Sequence, residues 1–265
     1  MPVRFTILGS GSAGNCAYIE AGDTRLLIDA GFSAKQIRER LALIQRAPEG
    51  LQGVLVTHEH GDHVQGLGVL CSRLGIPVYT NRLTRDALAR SVEHRLDYRL
   101  FETGAGFEIG SVAVQTFSVP HDAMDPVGFA LRIGDFQIGF LTDLGHVTQL
   151  VLERVRQSDV LVLEANHDMR LLQEDMRRPW STKQRILSRH GHLSNDAAAE
   201  VAAELAAHRL RRVYLGHLSR DCNRPELARA TVTAKLQSIG ASHVQVEDTW
   251  QDRPCTTLEH GVESP

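Results

Sequence analysis

The sequence predicts an α/β fold, a four-layer αββα sandwich, on two observations. A strand-then-helix order occurs twice, over residues 4–92 and again over 107–208, with no linker-like stretch between them. Four groups of histidine and acidic residues each fall just past the end of a predicted strand, as side chains gathered at a common sheet edge would. Two sheet-plus-helix halves, each with one apolar face to bury, pack sheet to sheet. One domain over residues 1–265 is expected, with the tail beyond Asp252 frayed.

The elements follow in order. Residues 4–8 read as a strand, 9–15 as a glycine-rich loop, and 16–20 with 25–28 as a hairpin over Ala21-Gly22-Asp23-Thr24. Ser33 caps a helix to about Leu43. A strand over 53–56 leads into a histidine loop, and 64–74 is helical up to the stop at Gly75. Residues 76–80 form a strand and 83–91 a helix. In the second half 112–119 alternates as a strand, and 127–133 with 136–140 form a hairpin over Gly134-Asp135. Helix 147–157 precedes a buried strand at 160–163. Segments 168–176 and 181–190 are helical, Ser194 or Asn195 caps an alanine-rich helix to His208, and a strand at 212–215 is followed by helix 225–239 and a short strand at 244–246.

Composition is that of an ordinary globular protein, with 42% hydrophobic and 23% charged residues. No apolar run reaches the roughly 18 residues of a membrane span, and the N-terminus lacks the charged, apolar and cleavage regions of an export signal. The four cysteines form no CxxC pair, which fits a reduced, cytoplasmic setting. A net charge of −3 argues against a protein that coats nucleic acid with basic surface. Two divalent metals would nevertheless add positive charge where a phosphate substrate binds.

The run Thr57-His58-Glu59-His60-Gly61-Asp62-His63 carries the function. Imidazole and carboxylate together suit zinc, manganese or iron(II). His58 and His60 lie two apart on an extended segment and point the same way, while Asp62 and His63 follow the turn at Gly61 and face a second point. With His121, Asp143 and His217 at later strand ends, a two-metal site is expected. His58, His60 and His121 would bind the first ion, Asp62, His63 and His217 the second, and Asp143 would bridge them. Asp62 and His63 are expected in a surface loop, where their loss would leave the fold intact.

This pattern resembles the metallo-β-lactamase fold superfamily, in which an aspartate ending an early strand, here Asp29, supports the ligands. Within it the chain is similar to the YycJ/WalJ-like branch of DNA exonucleases. The matching pieces are GSGSAGN (residues 9–15), PHDA (120–123), TD-G (142–145), EANHD (164–168), GHLSN (191–195) and GHLS (216–219). The branch shows two asparagines after the last motif; here only Asn223 matches. The resemblance implies hydrolysis of DNA in the 5′→3′ direction by a hydroxide between two metals, oriented by Asp62 or Asp143.

The accessory motifs read two ways. The loop holding Ser12 and Asn15 either offers backbone N–H groups to a phosphate or is a tight turn. Ser194 and Asn195 open a helix, an anion site or a plain cap. His192 serves as a proton donor or a binding group, and Asn166 lines the cleft or satisfies a turn. Lys183, Arg185 and Arg189 contact phosphates or form a solvated face. The competing function is a small-molecule hydrolase such as a glyoxalase II-type thioesterase, and the third is a non-catalytic metal-binding module.

Overall fold

The structure, a computed structural model, describes residues 1–261. Two seven-stranded sheets share one plan. In the first, β1 (Val3–Gly9), β2 (Cys16–Ala21) and β3 (Thr24–Ile28) run antiparallel, and β4 (Gly53–Leu55), β5 (Val78–Thr80) and β6 (Tyr98–Leu100) continue parallel. In the second, β7 (Gly106–Ile109), β8 (Val112–Ser118), β9 (Val127–Ile133) and β10 (Phe136–Leu141) are antiparallel. Parallel strands β11 (Val160–Glu164), β12 (Arg212–Gly216) and β13 (Gln245–Asp248) follow. The parallel strands are buried runs of Val and Leu because helices cover their outer faces.

Three apolar layers separate four structural layers. Phe5, Ile7, Leu26, Phe129, Ile138 and Tyr214 meet between the sheets. Leu8, Tyr18, Ile37, Leu41 and Leu70 fill the space under α1 (Ala34–Leu43) and α3 (Leu67–Leu74). Leu161, Leu163, Val201, Leu205 and Val232 pack beneath α8 (Asn195–Leu205) and α9 (Pro225–Ser238). This is the expected αββα sandwich.

Local chemistry sets the helix ends. Ser33 and Gln36 form a reciprocal capping box on α1, and Ser194, rather than Asn195, caps α8. The helix expected over 64–74 is two pieces, α2 (Gly61–Val64) and α3, because Gly66 is pressed against the Phe32 carbonyl, 2.1 Å from where a Cβ would stand. Strands β6 and β7 carry mostly exposed residues and no strong alternation, and were not expected.

The tail beyond Asp252 does not fray through residue 261. The Cys255 amide donates to the Ile7 carbonyl at 2.9 Å, and β14 (Leu258–His260) pairs antiparallel with β1. This covers backbone groups that an open sheet edge would present. Residues 262–265 lie outside the described residues. No helix among those described is long and apolar enough to cross a membrane.

Candidate metal centre

Loops at one edge of the two sheets bring the predicted residues together. β4 leads through Thr57 to His58 and His60, and α2 carries Asp62 and His63. The loop after β8 supplies His121, β10 leads to Asp143, and β12 to His217. Asp29, Asp143 and His217 all sit at positive φ, 58°, 57° and 54°, in the left-handed region that a residue with a Cβ rarely adopts. Strain at three strand ends is the local cost of turning these side chains inward.

Two triads result, His58–His60–His121 and Asp62–His63–His217. In the first, His58 Nε2 is 3.0 Å from His60 Nδ1, which is 3.4 Å from His121 Nε2. In the second, Asp62 Oδ2 is 3.3 Å from His217 Nε2 and 3.6 Å from His63 Nε2. Asp143 stands between them. Its Oδ2 is 3.1 Å from His63 Nε2, and its Oδ1 is 3.4 Å from His217 Nε2 and 3.7 Å from His121 Nε2.

These spacings fit metal. Ligand bonds of about 2.0–2.1 Å in a tetrahedron put neighbouring donor atoms about 3.3 Å apart. Asp143 Oδ2 is buried with no hydrogen-bond partner, a costly state for a carboxylate. Four rings are also held from behind. Nδ1 of His58 meets Thr57 Oγ1 at 3.0 Å, that of His63 meets Asp29 at 2.7 Å, that of His121 meets the Gly191 carbonyl at 3.2 Å, and that of His217 meets Glu164 at 2.8 Å. Anchoring one ring nitrogen aims the other, as metal-binding histidines require.

Charge distribution agrees. Burial alone would lower His63, yet Asp143 and Asp29 on either side push it up to about 10. Burial also opposes charge on His217, but Asp143, Asp62 and Glu164 hold it well above the ordinary range. His58 falls well below that range through burial and the cationic His63 beside it. Asp143 stays well below the carboxylate range despite burial, because His217 and His63 face it. Positive charge is therefore drawn to the ring nitrogens around Asp143, where a bound cation would displace protons.

Beside the triads lies a cavity of about 390 Å³, lined by Ser12, Asp62, Asp143, Asn166, His192 and His217 together with Arg178 and Arg185. His192 gives its Nδ1 to Glu164 at 2.8 Å and is partly exposed. Burial opposes charge on this ring, but Glu164 raises its pKa.

Comparison with known proteins now has a geometry to meet. Residues 24–218 match the family described as "Beta-lactamase superfamily domain". The chain belongs to the β-lactamase superfamily. It is 39% identical to "Exodeoxyribonuclease WalJ" of Streptococcus pneumoniae over 238 residues, 88% of each chain. It is 36% identical to "Exodeoxyribonuclease YycJ" of Bacillus anthracis over 242 residues, 91% of each. Among solved structures, the metallo-β-lactamase fold protein YhfI from Bacillus subtilis superposes with a TM-score of 0.75 at 16% identity, covering 98% of this chain and all of that one. That likeness shows the fold.

Within this superfamily frame, several sequence expectations change. His63 is wholly buried on α2, between Asp29 and Asp143, and is no surface-loop residue. Of the substrate-contact candidates, Ser12 and Asn166 line the cavity, and Asn166 also donates to the His217 carbonyl at 2.9 Å. Asn15 is buried and spends its amide on Ser10, Gly11 and His63. Ser194 caps α8, while Asn195 and Asn223 bond each other twice, at 3.0 and 2.8 Å, away from the cavity lining. Lys183 is buried against the Gln173 carbonyl and cannot face a phosphate.

The glycine-rich loop works as a scaffold. Ser10 Oγ accepts from the His217 amide at 2.8 Å and donates to Asn15 at 2.9 Å. Gly31 is required here, because a Cβ would lie 1.7 Å from the Asp62 carbonyl. Two residues escaped sequence reasoning. Glu164, fully buried, accepts from His217, His192, Leu144 and Leu193, and His192 and His217 hold its carboxyl at about 2 against burial. The signal was an acidic residue ending the apolar run Val160-Leu161-Val162-Leu163. Arg178, anchored by Asp221 at 3.1 Å, reaches the cavity with no motif to announce it.

Proposed function

We propose that the chain is a metal-dependent exodeoxyribonuclease that binds two divalent ions, zinc or manganese, with iron(II) also suited to the donors. The observation that carries this is one triad of imidazoles and one of two imidazoles and a carboxylate, with Asp143 between them, opening on a cavity edged by His192, Arg178 and Arg185. The exodeoxyribonuclease relatives over 88–91% of the chain support it. His58, His60 and His121 would hold one ion and Asp62, His63 and His217 the other, with Asp143 on both. When bound, the ions supply a lowered water pKa and stabilise charge on the phosphate oxygens.

The chain's own residues do the rest. Asp143 and Asp62 accept hydrogen bonds and so orient the attacking water. His192, held through Nδ1 by Glu164, which also favours its protonated form, hands its Nε2 proton to the departing oxygen. Arg178 and Arg185 meet the non-bridging phosphate oxygens. DNA as substrate, digested 5′→3′, fits a cytoplasmic protein with four unpaired cysteines.

The test is digestion of 5′- and 3′-labelled single- and double-stranded DNA, metal by metal. Release of mononucleotides from one labelled end supports the reading. Metal-loaded protein that hydrolyses an acyl-thioester but leaves every oligonucleotide intact would replace it with the glyoxalase II-type alternative.

A further inference from the structure

Gly61 stands between the candidate ligands His60 and Asp62, and nothing in the fold requires a glycine there. The sequence reads it as a turn, but it is the first residue of α2, where its carbonyl accepts from the Gln65 amide at 2.9 Å. Its φ lies outside the left-handed region, and a Cβ built on it would meet no atom within 4 Å. Two demands usually keep a glycine in a folded chain, a positive φ or the close approach of other atoms. Gly75, Gly104, Gly134 and Gly240 have the same open surroundings, but all have positive φ. Gly31 and Gly66, packed beside the ligand loop, meet backbone oxygens 1.7 and 2.1 Å from an added Cβ. Among the described residues Gly61 alone meets neither demand. A glycine in a helix loses more chain freedom on folding than alanine, so this one costs stability.

Its place in the cavity supplies the reason. Gly61 is exposed and lines the space beside the two triads, the one glycine in that lining. The second half of the molecule closes its side with the Arg178, Arg185 and Ile186 side chains. The first half lines its side with Ser12, His60 and Asp62, and between the last two the wall stops at the main chain of Gly61. A cavity of about 390 Å³ is of small-ligand size. All but the end of a polymeric substrate therefore lies outside it, and the strand has to pass over one wall.

We propose that Gly61 is a specificity-determining residue, whose missing side chain keeps open the gap through which the uncleaved remainder of a DNA strand leaves the metal centre. A side chain at this position narrows the gap while its Cβ stays clear of every neighbouring atom. It therefore excludes a polymer before it excludes a single nucleotide. The inference rests on the nuclease reading above and adds to it what admits a strand.

Gly61→Ala, Gly61→Leu and Gly61→Phe test it. Each is assayed on single-stranded DNA and on p-nitrophenyl thymidine 5′-phosphate, a single nucleotide with no strand attached, and metal content and metal-free melting are measured alongside. Metal content stays at the wild-type level, and metal-free Gly61→Ala melts at or above the wild-type temperature. The ratio of kcat/KM on DNA to kcat/KM on the nucleotide ester falls as the side chain grows, by about 10- to 100-fold for Leu and Phe and least for Ala. A ratio that keeps its wild-type value in all three variants overturns the proposal and leaves the nuclease reading standing. Loss of metal, or a lower metal-free melting temperature for Gly61→Ala, also overturns it, because the glycine then serves the ligand loop. Wild-type protein that hydrolyses the nucleotide ester and no oligonucleotide overturns both readings.

Discussion

Asp29 and Asp143 occupy the same place in the two halves of the molecule, and they end up with opposite duties. Each follows the strand where its sheet changes from antiparallel to parallel pairing, and each sits at positive φ, 58° and 57°. Each is almost wholly buried. Asp29 is saturated, accepting from the Thr57 amide and hydroxyl at 2.8 Å and from His63 Nδ1 at 2.7 Å. Asp143 accepts no hydrogen bond that would satisfy Oδ2 and faces four imidazoles, those of His63, His121, His192 and His217. The backbone device is identical, so the neighbouring strand decides. In the first half the strand beyond delivers Thr57, two donors at once; in the second it delivers Glu164, another acceptor, which turns away to His192 and His217. His63 joins the two carboxylates, with Nδ1 on one and Nε2 on the other.

Asp143→Asn should separate the two roles most sharply. An amide cannot serve both triads, so hydrolysis should fall about 10³-fold or more, with metal content reduced. Metal-free Asp143→Asn should melt below wild type, because the carboxylate offsets buried positive charge on His63 and His217, but by less than Asp29→Asn, whose carboxylate also accepts from the Thr57 amide and hydroxyl. A drop in that metal-free melt as large as that of Asp29→Asn would make Asp143 structural, like Asp29.

Glu164→Gln should come next. Its Oε1 anchors both His192 and His217, so losing the charge should cost about 10- to 100-fold in activity and loosen metal binding. His192→Ala should cost about 10²-fold in kcat with metal content unchanged. If metal analysis of His192→Ala instead shows an ion lost, His192 is a ligand and not a proton donor.

How far these roles were readable before the structure follows from the same residues. The layers, the seven candidate ligands and their grouping were legible because strand ends, helix caps and the HxHxDH spacing are local signals. Asp29 and Glu164 differ in this respect. The first was given a role by resemblance, while the second opens the EANHD motif of the same resemblance but drew no role, since the partners of a buried carboxylate come from distant segments. The burial of His63 was invisible for the same reason, as Asp29 lies 34 residues upstream and Asp143 arrives from the other sheet. Asn195 and Asn223 looked like polar groups awaiting a ligand, and only their mutual pairing, 28 residues apart, shows them spent.

Asp29→Asn should show its effect mainly in stability. It breaks a buried ion pair held by three hydrogen bonds, which should destabilise the metal-free protein by about 3–5 kcal/mol in urea. His63→Ala should behave alike and not like a loop mutant, since it leaves the Asp29 carboxylate buried without its ring partner. Equal urea midpoints for wild type and Asp29→Asn would erase the contrast with Asp143.

The smallest effect belongs to the paired amides of the second half. Asn223 donates to the Ala165 carbonyl at 2.7 Å and exchanges two hydrogen bonds with Asn195, so it ties the start of α9 to the end of β11 and the first turn of α8. Asn223→Ala leaves buried polar groups on Asn195 and Ala165 unpaired, at about 1–3 kcal/mol of stability. Because the pair lies off the cavity lining, KM for DNA should stay within a few-fold of wild type under conditions where the variant remains folded. Asn15 makes the corresponding tie in the first half, but it also touches His63 Nε2 at 3.2 Å, so Asn15→Ala should lower kcat as well. A raised KM for Asn223→Ala with an unchanged urea midpoint would return that residue to substrate contact and end the parallel between the two ties.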